Sequence, residues 1–294
     1  MDYAGFYINL DRSTERRAAM EVEFAKYGLG EHYSRAPGVE GNALNLPNPH
    51  KLGNGELGCF TAHYLALKRN ADLGRHLHIV EDDTIFSSQT QAAIEWALRH
   101  KRPEDWDIIF LETSVRADNE TYKLYRLLHD RLVKRDKTGA IRNVLFTMID
   151  MKSMAYSGLT SYLVNQASIP KLLELYEQGM ARGLELPVDL FWRNNGWRQK
   201  VKIFSVFPFA TSIDIESCLN SLIDETPVDM LSSLTRLLGR HAFFVGCDRE
   251  KYQEYLKRLP LPPEGDWLAD VLSRLLAFTL TETYQMQASD ARQT

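Results

Sequence analysis

The stretch Leu77-His78-Ile79-Val80-Glu81-Asp82-Asp83 places three consecutive carboxylates directly after a short apolar run. An apolar run of this length is typical of a buried strand, so the carboxylates are expected at the C-terminal end of that strand. In open α/β sheets, ligands bind beside that end. Adjacent like charges repel one another, and a hard divalent cation with oxygen ligands is the usual agent that neutralises them. The stretch therefore predicts either a metal site or, because Ser87 and Ser88 precede a predicted helix, an acidic surface turn or helix N-cap.

Strands and helices alternate on both sides of this stretch. The residues at 36–55 are rich in Gly, Pro and Asn and predict a long loop, and a loop of that length in a compact domain usually serves a site. The alternation as a whole predicts a largely parallel α/β sheet. Apolar runs predict further strands at 5–10, 107–111, 161–164 and 201–207, and helical spacing predicts helices after Asp11, around Phe60 and Tyr64, at 91–100 and after Ser168.

The pattern changes to helices alone after about residue 225, with helices predicted at 227–239, 248–258 and 266–284. The sequence thus predicts a sheet domain over 1–225 and a helical C-terminal appendage over 226–294. The apolar faces of these helices predict packing on the sheet domain or a subunit contact, and the leucine-rich tail is compatible with a homodimer.

The bulk composition excludes some classes of function. A formal charge of −4 and a pI near 6.1 argue against a nucleic-acid-binding protein. Three scattered cysteines with no CxxC pair favour reduced thiols in a cytoplasmic protein. The opening Met1-Asp2-Tyr3 does not resemble a signal peptide, and no apolar stretch approaches bilayer length, so a transmembrane segment is not expected. Peripheral association with a membrane stays open.

An acidic cluster at a sheet edge is compatible with several metal-assisted reactions. A divalent metal there can clamp a diphosphate and neutralise a departing phosphate, as in nucleotide-sugar transfer, nucleotidyl transfer or phosphate hydrolysis. The glycine-rich loops GxxxxGK[ST] and GxGxxG are both absent. The first strand runs into Asn9-Leu10-Asp11, which offers one acid where an aspartyl-phosphate phosphatase has two. A phosphohydrolase, a nucleotidyltransferase and a non-catalytic carbohydrate- or nucleotide-binding protein remain alternatives to a sugar transferase.

Three ordered motifs stand in the first part of the chain. They are Tyr7-Ile8-Asn9-Leu10-Asp11-Arg12 with Glu15-Arg16-Arg17, Gly55-Glu56-Leu57-Gly58-Cys59 with Ala62-His63, and Glu81-Asp82-Asp83. Together they resemble glycosyltransferase family 25, which includes bacterial lipooligosaccharide galactosyltransferases and collagen galactosyltransferases. The resemblance is strong over 5–84, weaker over 155–225, where 157–173 and 187–189 resemble looser blocks, and absent beyond. The sequence differs from the family pattern at Thr61, where Ser is usual, at Glu112, where a small residue is more usual, and over 113–150.

The resemblance implies a fold, a donor and a cation. The fold would be a GT-A type nucleotide-diphospho-sugar transferase sheet domain, the donor a UDP-sugar such as UDP-galactose, and the cation Mn²⁺ or Mg²⁺. The transfer implied is that of a hexose to a saccharide or glycoconjugate hydroxyl, as in lipopolysaccharide or lipooligosaccharide synthesis. The implied roles are nucleotide contact for Asn9 and Leu10, phosphate or carboxylate contact for Arg16, metal binding for Asp83, and second ligand or ribose contact for Glu81 or Asp82.

Inverting transfer also requires a general base for the acceptor hydroxyl. Asp189 is the first candidate, because Pro187-Val188-Asp189 resembles a family motif, and Glu112 is the second, because it also follows a predicted strand. Asp189 as a helix N-cap is the structural alternative. His63 is expected either to orient a phosphate, to cap Glu56, or to be a half-buried packing residue.

Overall fold

A computed structural model describes most of the sheet domain and a short later segment. The described residues are 2–115, 118–130, 134–135, 141–214 and 239–248, together with 250 and 254.

The strands of the described residues are β1 Tyr3–Asn9, β2 Tyr33–Pro37, β3 His76–Glu81, β4 Thr84–Ile85, β5 Ile108–Phe110, β6 Ser114–Val115, β7 Lys134–Arg135, β8 Ile141–Asn143, β9 Thr147–Asp150, β10 Tyr156–Ser157, β11 Ser161–Val164, β12 Ile203–Phe207 and β13 Ser212–Ile213. Seven of these strands form one mixed sheet in the order β2-β1-β3-β11-β5-β12-β9. Three smaller antiparallel pairs accompany it: β4 with β13, β6 with β10, and β7 with β8.

Helices cover both faces of the sheet. The helices are α1 Thr14–Lys26, α2 Asn54–Arg69, α3 Thr90–His100, α4 Asp118–Asp130, α5 Ile169–Arg182 and α6 Val188–Trp197, with 3₁₀ turns at Gly41–Ala43, Ala71–Leu73, Pro103–Asp105 and Gln166–Ser168. The helices α2, α5 and α6 pack on one face of the sheet over a core that includes Phe60, Tyr176 and Trp192. The helices α1 and α3 pack on the other face, with Phe24 and Ile94.

The strand directions bring the ends of five strands and the starts of two others to one edge of the sheet. β1 lies parallel to β2 and β3, and β12 lies parallel to β5, whereas β11 runs antiparallel between β3 and β5 and β9 runs antiparallel to β12. The C-terminal ends of β1, β2, β3, β5 and β12 therefore lie at the same edge as the N-terminal ends of β11 and β9. This edge carries the acidic triplet.

The predicted α/β sheet rich in parallel strands is confirmed, although β11 and β9 run antiparallel to their neighbours. The strand β2 was not predicted. The predicted domain boundary at 225 and the predicted helix 266–284 lie outside the described residues. Of the predicted helices 227–239 and 248–258, the structure describes only residue 239 of the first and residues 248, 250 and 254 of the second. The two-domain division stays a prediction. The described segment 239–248 begins with helical residues 239–242 and packs on the sheet domain, where Phe209 N–H donates to Phe243 O at 2.9 Å.

A buried histidine inside β3 makes the stability of this sheet dependent on pH. His78 is fully buried, with Nδ1 2.6 Å from Tyr33 Oη and Nε2 2.9 Å from Ser161 Oγ, and burial lowers its pKa to about 3. The unfolded chain binds a proton on this side chain below pH ~6.5, whereas the folded chain stays neutral, so acidification favours unfolding. We expect His78 to remove about 2 kcal/mol of stability between pH 7 and pH 5.

Urea unfolding at pH 7 and pH 5 measures this effect by comparison with His78→Gln, which cannot take up a proton. The native chain should lose more stability on acidification than the variant does. Equal losses in the two proteins would contradict the assignment.

Candidate functional site

The acidic triplet occupies the end of β3 and the turn that follows. Glu81 is the last residue of β3, and Asp82 and Asp83 form the turn before β4. This turn is held to the rest of the sheet domain, because β4 pairs with β13 and Asp214 N–H donates to Asp83 O at 2.7 Å. The three side chains have three different environments.

Asp82 is held by β1 and α1. Its Oδ2 accepts a hydrogen bond from Asn9 Nδ2 at 2.7 Å, and its Oδ1 lies 2.9 Å from Arg16 Nη1. Both carboxylate oxygens thus have a protein partner. The predicted contact of Arg16 with a site carboxylate is present, and that carboxylate is Asp82.

Asn9 is the buried centre of this arrangement. Its amide nitrogen donates to Ser13 O as well as to Asp82, and its Oδ1 accepts from Arg17 Nε at 3.3 Å and Arg35 Nε at 3.1 Å. All the hydrogen-bonding positions of the side chain are thereby used. Asn9 therefore positions Asp82 through protein contacts, and its nucleotide contact, which the family resemblance implies, stays a prediction.

Glu81 turns to the opposite face of the sheet, toward α2. Its Oε1 lies 3.0 Å from His63 Nε2 and 3.6 Å from Cys59 Sγ. Burial works to raise the pKa of Glu81, but the hydrogen bond and charge of His63 and the charge of Arg240 outweigh it, so the pKa is lowered. Glu81 is therefore ionised at neutral pH.

His63 is buried, at 1% exposure, and its Nδ1 lies 2.8 Å from Tyr162 Oη. The predicted capping of Glu56 by His63 is wrong, because both ring nitrogens have other partners. Glu56 instead caps its own helix, accepting a hydrogen bond from Gly53 N–H at 2.8 Å through Oε2.

Asp83 differs from its neighbours because one of its carboxylate oxygens, Oδ1, is buried without a hydrogen-bond partner among the described residues. Burial raises the pKa of Asp83 to about 7, the charge of Glu81 adds to this rise, and Arg16 and Arg240 oppose it. A buried, unpaired carboxylate is costly. The site is therefore short of positive charge at this oxygen.

The two predicted bases lie in different environments. Glu112 is fully buried and bonded through both carboxylate oxygens to the guanidinium of Arg240, with Nε 2.5 Å from Oε2. Asp189 lies in the first turn of α6, where its Oδ2 accepts a hydrogen bond from Gly158 N–H at 2.8 Å. This bond ties Asp189 to the loop before β11, so its side chain does not cap its own helix.

Two clefts meet at the triplet. The first, here the β1 cleft, has a volume of about 360 Å³ and is lined by Leu10, Arg16, Gly38, Cys59, Glu81 and Asp82 among others. The second, here the α6 cleft, has a volume of about 340 Å³ and is lined by Glu56, Cys59, Glu81, Asp83, Asp189 and Arg240 among others. Both volumes suit a small ligand. The structure brings the sequence-predicted site residues together around these clefts, with His63 lining the β1 cleft, except that Glu112 lines neither cleft.

Close backbone contact shapes the wall between the clefts. A Cβ atom at Gly58 would lie 2.4 Å from Val39 O, so only glycine lets α2 approach the loop after β2. This explains in physical terms the Gly58-Cys59 pair in the second motif.

Sequence reasoning missed two participants in this site. Arg240 lies far along the chain, and no local pattern marks it. Cys59 was quoted within a motif without a role, although its spacing of four residues from His63 on a helix would have placed both on one face.

No helix in the described part of the chain has both the length and the apolar composition that a membrane crossing requires.

Comparison with known proteins gives one strong and several partial matches. Two curated relatives are each named a glycosyltransferase 25 family member: one from Drosophila pseudoobscura pseudoobscura, 32% identical over 125 residues, and one from Anopheles gambiae, 30% identical over 125 residues. Each alignment covers 36% of this chain, and it covers 20% and 21% of the respective relatives, so the chain matches about a fifth of their length.

Similarity to solved structures is low. The protein A197 from STIV covers 70% of this chain and 85% of its own, with a TM-score of 0.34 at 9% identity. Mouse xyloside xylosyltransferase 1, in its apo form, covers 68% of this chain and 84% of its own, with a TM-score of 0.33 at 11% identity. No conclusion rests on these two likenesses.

The family model described as glycosyltransferase family 25 (LPS biosynthesis protein) matches residues 4–192, which include all three motifs and Asp189. Since this match covers well over half of the chain, the protein belongs to glycosyltransferase family 25.

Proposed function

We propose that this protein transfers a hexose, with galactose as the first choice, from a UDP-sugar to a hydroxyl of a saccharide or glycoconjugate, with inversion and with Mn²⁺ or Mg²⁺. The observation that carries the proposal is the unpartnered carboxylate oxygen of Asp83 in the same cleft as Asp189. Family membership supports the reaction class.

Asp83 and Glu81 fit a hard divalent cation. Both carboxylates line one cleft, and the buried Oδ1 of Asp83 lacks a protein donor among the described residues. Mn²⁺ and Mg²⁺ accept carboxylate, phosphate and water oxygens together. When bound, the cation would neutralise the charge that develops on the diphosphate as it leaves. Asp82, held at both oxygens by Asn9 and Arg16, fixes the turn that presents Asp83.

The two clefts suggest where the substrates bind. We assign the nucleotide to the β1 cleft, which is lined by Leu10, Gly38 and the half-exposed side chain of Arg16, whose positive charge favours a phosphate there. The acceptor then enters the α6 cleft. The two clefts share Gly55, Cys59 and Glu81, so a sugar joined to the nucleotide would reach from one cleft into the other.

Asp189 is the proposed general base. It lines the α6 cleft, and its bond to Gly158 N–H holds the carboxylate there while leaving lone pairs to accept the acceptor's proton. The acceptor oxygen then attacks the anomeric carbon and the bond to the UDP oxygen breaks. Glu112 is not favoured as a base, because both its oxygens bind Arg240; its proposed role is to hold Arg240 at the cleft.

The acceptor we propose is a lipopolysaccharide or lipooligosaccharide saccharide, because the family description names LPS biosynthesis. Turnover with UDP-galactose, UDP-glucose and UDP-N-acetylhexosamines would identify the donor. The cytoplasmic location, the peripheral membrane association and the homodimer inferred from the sequence stay predictions.

Calorimetric titration with UDP tests the cation site. We expect binding to require Mn²⁺ or Mg²⁺ and to weaken at least tenfold in Asp83→Ala, because that variant removes the unpaired ligand. Asp72→Ala, which changes an exposed aspartate away from the clefts, is the matched control and should bind like the native chain. Absence of UDP binding in the native chain with either metal would overturn the proposed function. Unchanged binding in Asp83→Ala would remove Asp83 from the cation site.

A further inference from the structure

Three donor atoms of different chemistry converge at the junction of the two clefts, on residues that all line the β1 cleft. Cys59 Sγ, His63 Nε2 and Glu81 Oε1 all lie within 4.8 Å of one another. Thiolate, imidazole and carboxylate are the three kinds of side chain that bind zinc in proteins. This cluster is separate from the unpaired oxygen of Asp83, which needs an oxygen-binding cation.

Regular secondary structure imposes this convergence. Cys59 and His63 lie four residues apart on α2 and therefore occupy the same helix face. Leu77 and Ile79 of β3 point to the α2 side of the sheet, and the alternation of side chains along a strand directs Glu81 to that side as well. The helix face and the strand end meet without any irregular backbone.

The spacing of the donors is close to that of a tetrahedral metal site. The Glu81 oxygen lies 3.0 Å from His63 Nε2 and 3.6 Å from Cys59 Sγ. Ligands at ordinary zinc distances are separated by about 3.3–3.8 Å in a tetrahedron. The two distances to Glu81 are close to this range, and the distance from Cys59 Sγ to His63 Nε2 is no more than 4.8 Å.

Tyr162, which is not itself a member of the cluster, orients the imidazole of His63. Tyr162, itself buried on β11, lies with its hydroxyl 2.8 Å from His63 Nδ1. Metal-binding histidines characteristically use their second nitrogen in this way, which fixes the ring and leaves the other nitrogen for the metal. The fourth position faces the clefts, because Cys59 and Glu81 line both of them.

We propose that Cys59, His63 and Glu81 form a binding site for a thiophilic divalent cation such as Zn²⁺, with three protein ligands and one open position. On binding, the Cys59 thiol releases its proton to solvent and the S–H bond is replaced by a bond from sulfur to the metal. The site does not depend on the proposed sugar transfer. A consequence that does rest on the proposed function is inhibition of transfer by Zn²⁺, because Glu81 cannot serve both cations.

Cobalt substitution tests the site by a readout independent of activity. Co²⁺ added to the full chain without nucleotide should produce a near-ultraviolet thiolate-to-cobalt charge-transfer band and the strong visible bands of tetrahedral cobalt, and Zn²⁺ should abolish both. Cys59→Ser should reduce the charge-transfer band at least tenfold. Cys247→Ser, at the other described cysteine that is in no disulfide, should leave it unchanged.

Two further variants separate this proposal from the proposed function. Asp83→Ala should retain the cobalt spectrum even though it loses nucleotide binding. His63→Gln, which keeps a polar side chain at this position, should lose the tetrahedral bands. Thermal unfolding confirms that each variant is folded. A native protein without a thiolate band, or a band that persists in Cys59→Ser, would overturn the site and leave the cluster as a hydrogen-bonded support for Glu81.

Discussion

Asp189→Asn is expected to lower kcat for sugar transfer by about 10²–10⁴-fold, the usual contribution of a general base. Asparagine keeps the shape of the side chain and an oxygen that can accept the hydrogen bond from Gly158 N–H, but it cannot take a proton from the acceptor hydroxyl. The fold and the KM for the UDP-sugar should therefore change little, because Asp189 lines the α6 cleft and not the β1 cleft.

Steady-state kinetics with thermal unfolding distinguish the base from a purely structural residue. A structural Asp189 would lower the unfolding temperature on substitution and leave kcat nearly intact. Glu185→Gln, an exposed carboxylate just before α6, is the matched control and should retain full activity. If Asp189→Asn keeps kcat within threefold of the native value, Asp189 is not the base.

Gly58→Ala is expected to destabilise the protein by about 3 kcal/mol, toward the upper end of the range for overpacked positions. The added methyl group would lie 2.4 Å from Val39 O and 3.0 Å from Gly41 N, and these are backbone atoms that cannot swing aside. The loop after β2 or the helix α2 must move, although alanine by itself favours a helix.

The same helix supplies the control for this prediction. A Cβ atom at Gly55 would have no neighbour within 4 Å, so Gly55→Ala should be neutral or stabilising by up to about 1 kcal/mol. Chemical unfolding of the two variants measures the difference. Equal stability of Gly58→Ala and Gly55→Ala would show that the close approach of α2 to the loop does not govern stability.

Local patterns were sufficient to predict the acidic edge of the sheet. The apolar residues 77–80 identify β3, and the end of a parallel strand in an α/β sheet is the expected position of Glu81, Asp82 and Asp83. Helical spacing similarly predicted α2. These features depend on residues that lie close together in the sequence, and the periodicity of apolar residues is therefore sufficient to predict them.

Long-range pairing was not available to the same reasoning. The short strand β2 contains Ser34, Arg35 and Pro37, which give no strand pattern, and it was missed. Nothing in the sequence indicated that Arg240 would take Glu112 as its partner. A contact of Arg16 with a site carboxylate was predicted, whereas the contacts of Asn9 with Asp82 and of His63 with Glu81 were not, because they form only when distant segments pack together.

The antiparallel strand β11 has a consequence for the order of folding. Val80 of β3 pairs with Ser161, and Phe110 of β5 pairs with Tyr162, so β3 and β5 are joined only through a strand that is synthesised much later than β3. Pairings between segments so far apart in the sequence form slowly. Until its neighbour has paired with it, an apolar strand exposes unpaired backbone N–H and C=O groups along its edge. A nascent chain that has folded only as far as β3 therefore carries the acidic turn before β11 is in place beside it.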